Sequence, residues 1–281
     1  GEADVIVVGS GPGGLSAAIA AARAGVSVIL IERFGCFGGN ITSVGVEGFA
    51  WYRHEKTIEA GGLAFEYEQR AIESNAAVPE SQSKSYELDS EGFKVVADNL
   101  VLKAGVRPML HRAFCAPILE GDEIKGVITE SKAGREAIIG KIIIDATGDA
   151  DVARRSGVKV FKNKKEDMIS ASVMFHMSGV NKEEFMNEIE RDPQKYSDWS
   201  DKNWQVQTSG KEDDMFSPFL RKPFEKAKDS GLIDSDLQTI SGTWGAIHDT
   251  GELTYLNLVH LNGIDGTDPE SLTKGEIEGR K

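Results

Sequence analysis

Three glycines near the start of the chain, Gly9, Gly11 and Gly14, and an acid further along, Glu32, have the types and spacing to hold a dinucleotide. They belong to Asp4-Val-Ile-Val-Val-Gly-Ser-Gly-Pro-Gly-Gly-Leu15 and to the apolar run that ends at Glu32. Gly9 permits a tight turn, Gly11 lets the backbone approach a pyrophosphate, and Gly14 lets a helix pack closely on the preceding strand. Ser10, Pro12 and Gly13 share that turn. The free N–H groups of a helix N-terminus, carrying roughly half a positive charge, would face the anion. Glu32 follows the glycines by roughly 20 residues, the place where a carboxylate accepts hydrogen bonds from the adenosine ribose hydroxyls. The same charge repels a 2′-phosphate, which disfavours NADP. A lone G-x-G-x-x-G often marks only a flexible loop; strand, loop, helix, strand and acid in this order is a far more specific pattern.

Other residues could handle protons or anchor a substrate. Arg53 can clamp a carboxylate, and His54, His176, His248 and His260 can exchange protons near neutral pH. Each has a plain alternative: His54 as a solvated loop residue, His176 facing water from a strand, His248 beside a turn. Trp51, Trp199, Trp204 and Trp244 could line a pocket or simply fill a core. Cys36 and Cys115 have no C-x-x-C spacing, so neither an iron–sulfur cluster nor any metal site is expected.

The elements that must position these groups follow from periodicity. Val5 to Val8 has the β-branched run of a buried parallel strand, 15–24 is Ala-rich and helical, and 26–31 is the next strand. Residues 62–74 read as a helix and 75–86 as a surface loop. A second helix starts near Ser90, with Phe93, Val96, Ala97, Leu100 and Ala104 on one face, and stops at Gly105. Val106 to His111 is strand-like. Segments 114–120, 124–131 and 135–140 alternate as a β-meander, which returns into Lys141 to Gly148, a buried strand ending in a turn where the parallel sheet resumes, with a helix over 150–156. From about Ile169 the pattern becomes mostly antiparallel, with a helix near 181–191 and a strand pair at 243–248 and 253–261. Asp268-Pro269 starts a helix of about three turns before the chain stops, so a continuation is expected.

Composition narrows the partners. The 281 residues carry a formal charge of −13, which argues against nucleic acid and anionic membrane, both polyanions. No stretch approaches the roughly 20 apolar residues of a membrane helix, and two unpaired-looking cysteines suit a cytoplasmic protein. A small-molecule substrate is the expected partner, with a homo-oligomer or a partner subunit left open.

On three matches the chain resembles the glutathione-reductase-like superfamily of FAD enzymes: Val8-Gly-Ser-Gly-Pro-Gly-Gly14 with Glu32, Gly38-Gly39 followed by Thr42, and Ala146-Thr-Gly148. More narrowly it is similar to the bacterial FAD-dependent oxidoreductases, through Phe37-Gly-Gly39, Ile144-Asp-Ala-Thr-Gly-Asp-Ala-Asp-Val-Ala153 and Leu272-Thr-Lys-Gly-Glu-Ile-Glu-Gly-Arg280. The resemblance implies an α/β fold: a Rossmann-like FAD-binding domain with a parallel sheet and β-meander over 1–168, carrying a loop and helix insertion at 43–92. A mostly antiparallel α+β cap domain over 169–262 would bind substrate, and 263–281 would return to the FAD domain. It implies FAD as cofactor, with Arg33 beside Glu32, Gly38, Gly39, Asn40 and Thr42 along the pyrophosphate and ribityl path, the backbone of Ala113 and Phe114 against adenine, and Ala146, Thr147, Gly148 packed on the cofactor. A Thr42 hydroxyl donating to phosphate, and Asp149 either bonding a flavin hydroxyl or capping the helix at 150–156, complete that set. It also favours Arg53 and His54, in the loop after the Gly-Gly pair, and then His260, as catalytic groups.

Departures from the superfamily narrow the chemistry. Ile41 and Val46 stand where disulfide reductases carry redox cysteines, no second G-x-G-x-x-G for a nicotinamide is present, and Thr147 replaces the Asp of aromatic hydroxylases. The later Gly- and Ala-rich segment that completes such FAD sites does not occur here. The expected activity is hydride exchange between flavin and a small organic molecule. The alternatives are a flavin monooxygenase, or a flavin-binding subunit or incomplete fragment whose chemistry needs another chain or a missing C-terminal half.

Overall fold

The computed structural model describes residues 1–48, 53–54, 57–58, 61–79, 86–191, 221–235, 240–244 and 247–281. In chain order the elements are β1 (Glu2–Val8), α1 (Pro12–Arg23), β2 (Val28–Ile31), β3 (Arg53–His54), β4 (Thr57–Ile58), α2 (Leu63–Glu73), β5 (Ala77–Pro79) and β6 (Tyr86–Leu88). They continue as α3 (Ser90–Lys103), β7 (Arg107–Met109), β8 (Ala113–Glu120), β9 (Glu123–Ser131), β10 (Gly134–Asp145), α4 (Asp151–Arg155) and β11 (Phe175–Met177). The last are α5 (Lys182–Arg191), α6 (Arg221–Asp229), β12 (Ile240–Thr243), β13 (Leu253–Val259) and α7 (Pro269–Gly279). The chain divides into two compact units, Gly1–Val44 with Gly61–Ala77 and Leu88–Lys162, and Gly45–Ala60 with Val78–Glu87 and Asn163–Lys281.

The first unit is built on a six-stranded sheet in the order β7-β2-β1-β10-β9-β8. Its β7, β2, β1 and β10 run parallel, and β9 and β8 turn back antiparallel. The meander and the return strand are thus one element. The first half of β10 pairs with β9 through Gly134↔Ser131 to Ile139↔Gly126, and its second half pairs with β1 through Glu2↔Ile139 to Val8↔Asp145. That strand is not buried on both faces as its apolar run suggested, since Ile142 is 57% exposed. One sheet face packs Ile6, Val8, Ile29, Ile31, Val127 and Ile138 together, while α1 and α3 bury Leu15, Ala18, Ile19, Phe93, Val96, Ala97 and Leu100. Each of these larger apolar side chains, alanines aside, contributes about 1.5–3 kcal/mol. The Asp89 carboxylate starts α3, accepting from the amides of Glu91 (2.9 Å) and Gly92 (3.1 Å). Of 75–86, read as loop, residues 77–79 form β5 and 80–85 lie outside the described residues.

Helix α2 carries Tyr67 and Glu68, both buried. Tyr67 meets Phe93 edge-on with ring centroids 6.0 Å apart and shares a 2.9 Å hydrogen bond with the Ser16 hydroxyl. Glu68 is fully buried, and loss of solvent pushes its carboxyl up from 4.5 to about 7. The folded state therefore holds this proton more tightly than the unfolded chain. The cost of the charge is absent below the unfolded pKa, builds as pH rises towards about 7 and is fully present above it. Glu68→Gln is expected to raise stability by roughly 2 kcal/mol near pH 8 and to change little near pH 4. Urea unfolding at the two pH values checks this, and an unaltered pH slope overturns it.

The second unit contains the three-stranded antiparallel sheet β11-β13-β12 and the β3-β4 hairpin. Trp244, Ile247, Leu253, Leu256 and Leu258 form its core, with Val180, Phe185, Met186 and Phe224 against it. The expected strand at 243–248 runs instead over 240–243, because Trp244 turns into this core and Ile247 makes a separate bridge to Leu253. Asp268 caps α7 by accepting from the Glu270 amide at 3.1 Å, with Pro269 in the first turn. Residues 263–281, expected to rejoin the first domain, group with this second unit. The cause is local: Ile264 packs at Gly275, and Val173 and Leu261 leave no room for a side chain at Gly279. The 43–92 insertion is likewise split, with 61–77 in the first unit and 45–60 and 78–87 in the second. No helix among the described residues is long and apolar enough to cross a membrane.

Candidate functional site

Gly9, Glu32 and Ala146 are the first residues beyond β1, β2 and β10, so the three segments singled out in the sequence meet at the carboxyl ends of neighbouring parallel strands. Backbone hydrogen bonds fasten them: Gly9 N to Ile31 O (2.9 Å), Ala146 N to Val8 O (2.8 Å) and Gly38 N to Ser10 O (2.9 Å). Strand β1 lies between β2 and β10, and such a switch point in a parallel sheet is where α/β proteins take nucleotides.

The glycines divide into two kinds. A Cβ at Gly9 (φ +95°) would lie 2.3 Å from the Ala146 carbonyl oxygen, and one at Gly14 would lie 1.9 Å from the Gly9 carbonyl oxygen, so these close the packing of turn, helix and strand. A Cβ at Gly11, Gly13 or Gly148 would meet no atom of the described residues within 4 Å. Gly11 and Gly13 lie at the N-terminus of α1, which has no side-chain cap among the described residues and no acid in its first turn. Free amides, an unopposed helix dipole and room beside the backbone fit a diphosphate, and the glycine turn fits the dinucleotide half of FAD.

Glu32 is buried and held by three donors. Its Oε2 accepts from the Ser10 amide (3.0 Å) and the Ser10 hydroxyl (2.6 Å), and Oε1 accepts from the Phe34 amide (2.9 Å). Arg33 is exposed, its guanidinium 4.7 Å from the centre of the Phe34 ring. Arg112 N donates to the Glu32 backbone carbonyl (2.9 Å), which ties the segment leading into Ala113 and Phe114 of β8 to the end of β2, and Arg155 lies 5.7 Å from the Phe114 ring centre.

The Gly38-Gly39 loop folds onto the glycine turn, a Cβ at Gly39 falling 2.6 Å from the Gly11 Cα. Asn40, exposed, opens a single π-helical turn, Asn40–Val44. The Thr42 hydroxyl donates to the Phe37 carbonyl at 2.6 Å rather than standing free for a phosphate, so Thr42 shapes the loop. Cys36 is half-buried, 3.7 Å from the Thr42 hydroxyl.

Asp145, given no role from the sequence, organises the turn after β10. Its Oδ1 accepts from the Thr147 amide (3.1 Å) and hydroxyl (2.7 Å), and its Oδ2 from the Ala153 amide (2.9 Å). Thr147 then accepts from the Asp151 amide (2.9 Å). These two residues start α4. Asp149 does not cap it, since the N-cap position is Ala150, in the left-handed region at φ +58°. The signal was present in the spacing: an acid ending a strand two residues before a threonine, ahead of a short helix. Asp145→Ala is expected to cost about 2 kcal/mol, because two amides and a hydroxyl lose a charged acceptor. Thermal unfolding measures it, and a change under about 0.5 kcal/mol overturns the assignment.

The proposed catalytic residues belong to the second unit. Arg53 and His54 form β3, and their side chains lie outside the described residues, as do Trp51, Trp199 and Trp204. His260 follows β13, with Nε2 buried and without a hydrogen-bond partner among the described residues. His176 is half-exposed, its Nε2 3.9 Å from the buried carboxylate of Glu47, a neighbour the sequence did not suggest. His248 donates its amide to the Glu252 carbonyl in a turn, and Trp244 is core, edge-on to Phe185 at 5.2 Å. No group of three or more potential metal ligands is found among the described residues.

Comparison with known proteins gives the following. Residues 4–281 match the family described as FAD dependent oxidoreductase. The thiamine thiazole synthase of Saccharolobus islandicus is 30% identical over 171 residues, covering 57% of this chain and 60% of the relative. That of Methanococcus maripaludis is 28% identical over 185 residues, covering 59% and 62%. The chain thus spans about 60% of the length of these curated relatives. Among solved structures, a geranylgeranyl bacteriochlorophyll reductase-like protein of Thermoplasma acidophilum aligns with a TM-score of 0.48 at 23% identity, covering 64% of this chain and 48% of that one.

Proposed function

Because this chain belongs to the FAD dependent oxidoreductase family, we propose that it exchanges hydride between bound FAD and a small organic substrate, as a dehydrogenase or reductase. The observation that carries this reading is the convergence of Gly9, Glu32 and Ala146 at the switch point, with open space at Gly11, Gly13 and Gly148. The N-terminal amides of α1 would neutralise the pyrophosphate, Glu32 would accept from the adenosine ribose, and the Ala146-Thr147-Gly148 turn would let the cofactor approach the backbone closely. Bound flavin supplies the hydride acceptor or donor. Arg53 is the proposed anchor for an anionic substrate group, and His54 or His260 the proposed proton-handling group. Ile41 and Val46 in place of a cysteine pair support direct exchange over dithiol chemistry.

The test is anaerobic mixing of the FAD-loaded chain with candidate substrates while the flavin absorbance is followed. Bleaching by a substrate alone supports the reading. Flavin that is reduced only by a pyridine nucleotide, and then delivers oxygen to product, makes the protein a monooxygenase instead. Full substrate-dependent reduction by both His54→Ala and His260→Ala removes those residues from the mechanism.

A further inference from the structure

We propose that the face of the β11-β13-β12 sheet turned away from the Trp244 core binds an amino group, with His176 as its proton acceptor and Asn257 accepting a hydrogen bond from it. All the residues concerned belong to the second unit. Phe175 and Met177 stand opposite Leu256 and Leu253 of the core, so His176 between them points to the other face. Asn257, between Leu256 and Leu258, points the same way. The register also leaves two residues of β13, Thr254 and Tyr255, opposite His176 alone, a bulge of the kind that re-aims side chains beside ligand sites. Thr254 Oγ1 and Asn257 Oδ1 are buried and have no hydrogen-bond partner among the described residues, and Thr254 as a whole is 7% exposed. A buried oxygen that meets no donor in the protein is accounted for by a donor on a ligand.

The segment 45–48 runs over this face. A Cβ at Gly45 would lie 3.1 Å from His176 Nε2, and one at Gly48 would lie 3.2 Å from Tyr255 Cε1. Between these glycines Glu47, 2% exposed, sets its Oε1 3.9 Å from His176 Nε2, beyond hydrogen-bonding distance. That spacing suits a ligand nitrogen donating to both, at about 2.9 Å each. The number of hydrogens decides the ligand class. Glu47, His176 and Asn257 all present acceptors, and a hydroxyl has one hydrogen to give where an ammonium has three. The proposal rests on the hydride reading above only in making this amine the substrate. One ammonium N–H bond then breaks and its proton passes to His176 Nε2. The neutral amine loses the hydrogen of its neighbouring C–H bond as hydride, its nitrogen lone pair forming the C=N bond of an iminium while both electrons leave with the hydride to FAD.

The experiment records the imidazole nitrogen magnetic-resonance signals of the full chain with isotope-labelled histidines, titrated at one fixed pH with methylamine, ethylamine and benzylamine and with the alcohol of each carbon skeleton. His176 is assigned by the signals that His176→Gln removes. The expected result is a saturable shift of the His176 signals by at least one amine at about 10 mM, tenfold above a millimolar dissociation constant, and none by the alcohols. Asn257→Leu, which removes the acceptor, should weaken that amine about tenfold, while Asn257→Asp, which keeps one, should stay within about threefold of the unsubstituted chain. Because Asn257→Leu also removes a buried oxygen that the protein leaves unmet, it should unfold no earlier than the unsubstituted chain, so weaker binding is not loss of the fold. No shift by any amine, or equal shifts by amines and alcohols, overturns the amine site. Unchanged amine affinity in Asn257→Leu, or its earlier unfolding, removes Asn257 from the proposal. Flavin reduction by a substrate that leaves the His176 signals unmoved keeps the oxidoreductase reading and sinks the amine site. A chain that binds these amines but no FAD keeps the site and overturns the reading beneath it, a result distinct from the others.

Discussion

Gly11→Ala is expected to fold as the unsubstituted chain does and to bind FAD about 100-fold more weakly. The reason lies in what its Cβ would meet. The backbone at Gly11 has φ −60° and ψ 177°, which alanine adopts without strain, and no atom of the described residues lies within 4 Å of the added methyl. The methyl instead occupies the space at the head of α1, where in the proposed site a diphosphate comes within hydrogen-bonding distance of the amides. Gly9→Ala should do the opposite. At φ +95° with the Ala146 carbonyl oxygen 2.3 Å from the new Cβ, neither backbone segment can yield cheaply, and a loss on the order of 3 kcal/mol is expected. The measurement is a paired one, urea unfolding and FAD titration of both variants. Should Gly11→Ala unfold early, or keep its FAD affinity, the open space at α1 is not the pyrophosphate site.

The largest expected loss of stability is in the second unit. Trp244 is almost fully buried, packs edge-on to Phe185 at 5.2 Å and 83°, and joins Ile247, Leu253, Leu256 and Leu258 in one cluster. Truncation removes both the transfer free energy of the indole and its contacts, so Trp244→Ala should cost about 3–5 kcal/mol. Trp244→Phe should recover more than half of this, because a six-membered ring still fills most of the space. Urea unfolding followed in the far ultraviolet decides it. A loss below about 1 kcal/mol for the alanine variant would mean that this cluster does not hold the unit together.

Much of the cofactor region was legible because its signals are local. Gly9, Gly11 and Gly14 encode one turn, Asp89 and Asp268-Pro269 encode two helix starts, and the 3.6-residue period of Phe93, Val96, Ala97 and Leu100 encodes a buried helix face. Each depends on residues within one or two turns of one another. The catalytic candidates were less legible. A histidine's type says that it can carry a proton, while its use depends on neighbours from other segments, as the Glu47 carboxylate beside His176 illustrates.

By itself the sequence determined a glycine turn between strand and helix, the acid that follows the second strand, the helices that flank the sheet and the absence of a cysteine pair after Gly38-Gly39. Tertiary structure alone decided that the third meander strand and the return strand are one, because a strand has two edges and β10 uses one for β9 and the other for β1. It alone decided that 263–281 belongs with the second unit, through packing at Gly275 and Gly279 that no local pattern announces. And it decided how Glu32 is held. Spacing can place a carboxylate at a strand end, but which donors meet it depends on Ser10, 22 residues away along the chain and 2.6 Å away in space.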